Sequence, residues 1–186
     1  GIGVRADQAE LYGKIGKLFH DQPYKGLAVF GTSRFHRQSS YFGLKRYYGE
    51  QRSVFLNSVY QSIIGTTRHK FRTGLSYLLD DYNESYNDSA FSRTESVPGV
   101  YGEYTYDNVK NFSVVAGLRA DYHNMYGFKF NPRIHAKYNI TELSALRISG
   151  GRGFRVPNIF AEHSSVLASS RIVVVEDRLL PETAWN

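Results

Sequence analysis

The sequence predicts an all-β protein, an antiparallel up-and-down transmembrane β-barrel of which these 186 residues supply about eight strands. Three observations point there: apolar and polar residues alternate with period two, the alternating segments are long, and the connections between them switch regularly between tight and long. Composition agrees, with 15 Tyr, 12 Phe and 17 Gly against 5 Pro, a profile rich in strand formers.

Taken in order, candidate strands fall at 9–20, 26–40, 52–64, 67–82, 98–107, 111–123, 131–140 and 143–153. The sixth alternates almost without error, setting Phe112, Val114, Ala116, Leu118, Ala120 and Tyr122 against Asn111, Ser113, Arg119, Asp121 and His123. The seventh sets Pro132, Ile134, Ala136, Tyr138 and Ile140 against Asn131, Arg133, His135, Lys137 and Asn139. One face of each strand is dry and the other wet. The third, "SVFLNSVYQSII", is less regular, although Asn57 and Gln61 share a side with Phe55, Val59 and Ile63.

Segments of this length exceed the ~5–6 residues usual in soluble sheets and suit the ~9–11 that cross a bilayer at a tilt. The links "DQPYK", "GTT", "DNVKN" and "TE" are tight, while "YFGLKRYYGEQ", "NESYNDSAFSRTESV" and everything after Phe154 are long; "NMYG" is a short exception. Segregated loop lengths fit a membrane barrel with short turns at the periplasmic end and long loops outside. On that geometry 21–24, 65–66, 107–111 and 141–142 are periplasmic turns, and 41–51, 83–97 and 154–178 are extracellular loops. Tyr12, Tyr24, Tyr41, Tyr82, Tyr122, Tyr126 and Tyr138 are candidates for the interfacial aromatic girdles. A mean hydropathy of −0.42 is compatible with a barrel, whose interior is polar.

Other classes recede. There is no cysteine, so no disulfide framework or thiolate metal site. The net charge of +6 is interleaved rather than clustered, which argues against a nucleic-acid partner. No segment approaches the ~18 apolar residues of a spanning helix. The chain begins at Gly1 without Met and stops at "PETAWN" as though inside an element, and so reads as a piece of a longer polypeptide. "GRGFRV" imitates RNA-recognition and dinucleotide-loop signatures, but Arg155 stands where a small residue belongs, and neither a third glycine nor a βαβ unit is present. "DDYNESYND" offers oxygen ligands without the glycine and terminal Glu of a calcium loop. The six histidines have no zinc spacing. Neither a metal nor a cofactor is expected. Asp121 and His123 share one face two residues apart, a spacing that suits a general base and its orienting acid; the opposing Asp-x-Asp of outer-membrane proteases of the omptin type is missing.

The run "GLRADYHNMYGFKFNPRIHAKYNITELSALRISGGRGFRVPNIFAEHSS" resembles the barrel of TonB-dependent outer-membrane receptors. The similarity rests on a Gly-x-Arg-x-Asp strand (Gly117, Arg119, Asp121), then Asn131-Pro132-Arg133, then a Gly-Phe-Arg-x-Pro-Asn exit (Gly153, Phe154, Arg155, Pro157, Asn158) followed by Glu162, and a Leu-x-Pro-Glu restart ending at Glu182. "HKFRTGLSYLLDDYNE" and "PGVYGEYTYD" look like further strands of the family.

This resemblance implies a 22-stranded barrel in the outer membrane of a Gram-negative bacterium, blocked by an N-terminal plug and importing ferric siderophores, haem or cobalamin with energy passed through TonB. About a third of such a barrel is present, without plug, TonB box or terminal aromatic strand. The partners implied are outer-membrane lipid, the chain's own plug domain, TonB and a ferric siderophore or similar ligand, with no catalysis. Extracellular side chains that could touch ligand are Arg155, Tyr47, Tyr48, Arg46 and Phe160, each of which could equally serve loop packing. The polar lumen is expected to hold Arg119, Asp121, His123, Arg133, His135, Lys137 and Arg147. Its cations Arg119, Arg133, Lys137 and Arg147 would suit an anionic ferric catecholate or pair with plug carboxylates. A soluble β-rich binding or adhesion domain is the alternative, and an outer-membrane hydrolase barrel a third reading.

Overall fold

A computed structural model describes residues 2–20, 22, 24–43, 45–87, 89–156 and 180–186. They form one antiparallel sheet in which every strand pairs with its neighbour in sequence: β1 (Ile2–Leu18), β2 (Gly26–Phe42), β3 (Lys45–Ile64), β4 (Thr66–Tyr86), β5 (Ser89–Asp107), β6 (Phe112–His123), β7 (Gly127–Asn139), β8 (Ala145–Arg155) and the short β9 (Glu182–Trp185). All eight expected strands are present, and the ninth follows the Leu-x-Pro-Glu restart. The sheet curls, so that Lys14 of β1, Arg72 of β4 and Arg133 of β7 line one recess of about 440 Å³. Its edges do not meet.

Register fixes the two faces. Tyr101 lies opposite Arg119 and Glu103 opposite Gly117, which lies opposite Arg133, so these groups share the concave side. The convex side carries Leu11, Ile15, Leu56, Leu75, Val100, Leu118, Ile134 and Ile148, each between 49% and 76% exposed. Among the described residues Val97 is the sole buried hydrophobic side chain. Among the described residues no second layer covers this dry convex face, and lipid is the solvent that suits it. On β6 the apolar band runs from Phe112 to Tyr122, a height of about 24 Å for ten residues at ~3.4 Å each and a tilt near 45°. That equals the ~25 Å apolar band of outer-membrane barrels.

Aromatic rings mark the turn-side edge of this band. Tyr60 and Phe71 are 5.8 Å apart between centroids, His69 and Tyr106 5.1 Å, and Tyr106 and Phe112 6.2 Å, while the Tyr104 hydroxyl is 2.6 Å from His69 Nδ1. Of the tyrosines expected in girdles, Tyr41, Tyr122 and Tyr138 share the convex register. Tyr12 and Tyr82 do not: they lie opposite Thr32 and Gln51 on the concave register, because a girdle needs the outward parity as well as the right height.

The expected loops 41–51 and 83–97 are not loops. β2 runs to Phe42 and β3 restarts at Lys45; β4 runs to Tyr86 and β5 restarts at Ser89. The reversals are tight, with Gly43 at φ 67° and Asn87 at φ 52°. The side chain of Asn87 accepts a hydrogen bond from Arg46 N at 3.0 Å, and Asn87 N donates to the Arg46 carbonyl at 2.9 Å, joining the two tips. Above the lipid band both faces are wet, so the hydrophobic alternation fades while the ladder continues. These two connections are two-stranded ribbons, and the expected loop 154–178 lies outside the described residues from 157 onward. Beyond the band, the convex face turns charged: Arg37 pairs with Asp7 at 3.1 Å and Arg52 with Glu50 at 2.8 Å.

Two prolines end ladders. Pro98 sits one residue above Gly99, where the β5–β6 pairing stops, and Pro132 one residue before Arg133, where the β7–β8 pairing stops. Proline has no N–H to offer a neighbouring strand. Asn124, in the β6–β7 turn, then takes over the edge of β5: its side chain accepts from Ser96 N at 3.1 Å and donates to the Thr94 carbonyl at 2.8 Å. Past Gly151, β8 pairs with β9 instead.

Candidate functional site: the polar wall and the outer ribbons

The concave wall is a polar surface held by ion pairs. Midway up β5, Tyr101 reaches across β4 and donates to Asn57 Oδ1 at 2.9 Å and to the Ser58 carbonyl at 3.0 Å. It can do so because Gly74 lies beneath it, where a Cβ would sit 2.5 Å from the hydroxyl and 1.9 Å from Ser58 O. Leu75 N donates to Ser58 Oγ at 3.1 Å beside it. Below, Glu103 gathers Arg133 and, at 3.9 Å, Arg72.

Higher on the wall, Arg119 grips Asp121 through two nitrogens, Nε and Nη2, each at 2.8 Å, and donates to Ser76 Oγ at 2.8 Å. Asp121 is 3% exposed, so this ion pair, with one hydrogen bond from Nε to Oδ2, is what permits its burial. His123 is 1% exposed. Its Nδ1 accepts from Met125 N at 3.2 Å, and its Nε2 faces Glu95 Oε2 at 3.5 Å. Glu95 in turn meets Arg93 Nε at 2.8 Å, and the Arg93 guanidinium lies 4.1 Å from the centre of the Tyr82 ring. Burial and the neighbouring Asp80 and Glu95 carboxylates push the Tyr82 phenol up to about 12. A recess of about 630 Å³ opens beside Glu95, Asp121 and His123 and extends to Arg152 and Phe154.

Asp121 is committed to Arg119, while His123 turns away to Met125 and Glu95, so the two never form an acid–base pair. The oxygen donors of "DDYNESYND" are divided by the strand pleat, with Asp80 and Glu84 on the concave register and Asp81 and Asn83 on the other. Among the described residues no group of three His, Asp or Glu side chains could hold a metal ion.

The expected ligand contacts are spread apart. Tyr47 points inward and donates to Glu84 Oε1 at 2.8 Å; burial, then that carboxylate, hold its phenol above the usual range. Tyr48, one residue on, points outward and donates to Glu50 at 2.9 Å. The Arg46 guanidinium lies 6.0 Å from the Tyr41 ring centre. Arg155 pairs with Glu182 at 2.9 Å between β8 and β9. Phe160 lies outside the described residues, as do Pro157, Asn158 and Glu162. Of the lumen set, Arg119, Asp121, His123 and Arg133 join the wall network; His135, Lys137 and Arg147 share its register nearer the tight turns. Sequence reading missed Arg93 and Glu95. Carrying the odd-numbered parity of β5 upward past Pro98 would have found both.

A curled antiparallel sheet with a lipid-compatible outer band and a salt-bridged inner wall defines a segment of a transmembrane β-barrel. The family comparison is consistent with this and more specific: the family model described as "TonB dependent receptor-like, beta-barrel" matches residues 4–186. The chain belongs to the TonB-dependent receptor β-barrel family, whose members are receptors and transporters rather than enzymes.

Among solved structures, the siderophore receptor PirA from Acinetobacter baumannii matches at 12% identity and TM-score 0.66, covering 83% of this chain and 26% of that one. PirA from Pseudomonas aeruginosa matches at 13% identity and TM-score 0.54, covering 83% and 35%. The copper transporter OprC matches at 10% identity and TM-score 0.60, covering 81% and 30%. The chain thus spans roughly a quarter to a third of their length, and likeness at such identity shows the fold. No curated protein sequence matches.

Proposed function

We propose that this chain is part of the barrel of an outer-membrane receptor of a Gram-negative bacterium that takes up a ferric siderophore, with energy delivered through TonB to a plug seated in the lumen. One observation carries the reading: the inner wall is polar and ion-paired while the ribbons of β2–β3 and β4–β5 rise beyond the lipid band, giving an outward-facing vestibule above a wall built to be covered. The siderophore receptors among structures of like fold support the ligand class. Tyr47, Arg46, Tyr48, Arg155 and Phe160 remain the proposed ligand contacts; of the four that are described, Tyr47 has the inward orientation this needs. The partners are outer-membrane lipid around the convex face, the plug within, TonB below it and the ligand above.

The test is iron uptake by cells that lack their own siderophore receptors and express the intact receptor. Expected is accumulation of radiolabelled ferric siderophore that stops when TonB is deleted. Uptake indifferent to TonB would point to a passive porin, and the absence of uptake for every siderophore, together with uptake of another ligand, would overturn the ligand class.

A further inference from the structure

Above Pro98, β5 has left the β6 ladder, and side chains at the end of β6 hold it instead: the Asn124 clasp and the contact of His123 with Glu95. The clasp is satisfied on both sides. The imidazole is not, for its buried Nε2 stands 3.5 Å from Glu95 Oε2 and forms no hydrogen bond among the described residues. Nδ1 accepts the Met125 N–H at 3.2 Å. A ring that accepts on one nitrogen carries its single proton on the other, so this geometry belongs to neutral His123 with Nε2–H aimed at a carboxylate.

The surroundings call for one more positive charge. Glu95 of β5 and Asp80 of β4 are both buried and lie directly opposite one another. Arg93 pairs with Glu95, while Asp80 receives only the Tyr82 hydroxyl, at 3.4 Å on Oδ2, and its Oδ1 is buried without a hydrogen bond. Arg119 is engaged by Asp121 on β6 itself. Lys129, opposite Asp121 on β7, and Arg152 of β8, which lines the recess, form no ion pair among the described residues. From the β6–β7 turn the Tyr126 ring packs edge-on against the imidazole at 4.8 Å between centroids. His123 is thus the base in contact with a buried acidic pair that one guanidinium serves.

We propose that His123 is a proton-operated tie between the outer β4–β5 ribbon and the wall below it. A proton taken from solvent at Nδ1 makes Nε2–H a charged donor to Glu95 Oε2 and removes the lone pair that holds the Met125 N–H. A hydrogen bond between charged groups outweighs one between neutral groups, and Met125 lies in a half-exposed turn where its freed N–H can meet water. Acid therefore draws β5 toward β6 and loosens the β6–β7 turn. The tie is present at low pH and lost as pH rises, across the range of about pH 5 to 8 in which imidazole side chains change charge.

The experiment is hydrogen exchange of the intact receptor in lipid vesicles, read by peptide mass spectrometry and corrected for the intrinsic effect of pH on amide exchange. From about pH 8 to about pH 5, protection of residues 93–97 is expected to rise by about fivefold, the margin of a charged over a neutral hydrogen bond, while that of residues 124–126 falls. His123→Gln and Glu95→Gln should each abolish the rise at 93–97. Wild-type protection that does not change with pH, or that moves in the same direction at both segments, would overturn the tie whatever the variants do. A response that survives His123→Gln would overturn it as well, since a carboxylate would then be the titrating group.

Discussion

Replacing Leu118 with arginine tests whether the convex face meets lipid. Leu118 is 55% exposed and lies six residues above Phe112, about 14 Å up a band of about 24 Å at the same rise and tilt, close to the midplane. Arginine on the lipid face at that depth costs about 2–4 kcal/mol, falling to about 0–1 near the interfaces. Leu118→Arg should therefore lower the folding equilibrium constant by roughly 30- to 700-fold, at ~1.4 kcal/mol per tenfold. Tyr122→Arg and Phe112→Arg, at the edges of the same face, should lower it by about fivefold or less. The assay is a denaturant titration of the intact receptor refolded into phospholipid vesicles, followed by Trp fluorescence. Equal losses at all three positions would refute the depth assignment. A profile deepest at Tyr122 would mean that the band has been placed too low.

Three further substitutions probe the wall and the turns. Val109 holds φ at 68° and is 78% exposed, so Val109→Gly should relieve left-handed strain of ~1–2 kcal/mol at the expense of ~0.5–1 in chain entropy, raising the thermal midpoint in detergent. Arg119→Met strands the nearly buried Asp121 carboxylate and should cost about 3–5 kcal/mol, most of it recovered when Asp121→Asn is added; a double-mutant cycle showing no coupling would mean that the pair is not what holds Asp121. Gly74→Ala drives a Cβ into Ser58 O and the Tyr101 ring and should cost about 1–3 kcal/mol, whereas Gly102→Ala, with nothing within 4 Å of its new methyl, should be neutral by the same melt.

Much of the fold is legible in the sequence because lipid and lumen impose opposite demands on alternate residues, as the run from Phe112 to Tyr122 shows, with Val115 its one apolar side chain on the polar face. The signal fails where that contrast vanishes. Residues 41–51 and 83–97 mix polar and apolar side chains without a clean period of two, so their strands look like loops until the ladder is seen. Tyr12 and Tyr82 show a related gap, for ring chemistry suggests a girdle and only register says which way a ring points. Of the site, sequence parity places Arg119, Asp121, His123 and Arg133 on the wet face. It does not show that Arg119 claims Asp121 while His123 turns to Met125 and Glu95. Those pairings depend on which residues stand side by side on neighbouring strands, information that no single strand carries.

The prolines at 98 and 132 divide the sheet into two regimes. Below them the strands are laced edge to edge like cloth, and a change in one strand is felt by the next. Above Pro98, β5 is released from β6, and the β4–β5 ribbon is held on that side through the Asn124 clasp. The ribbon above Pro98 can therefore lengthen, shorten or change composition without re-registering the sheet below it.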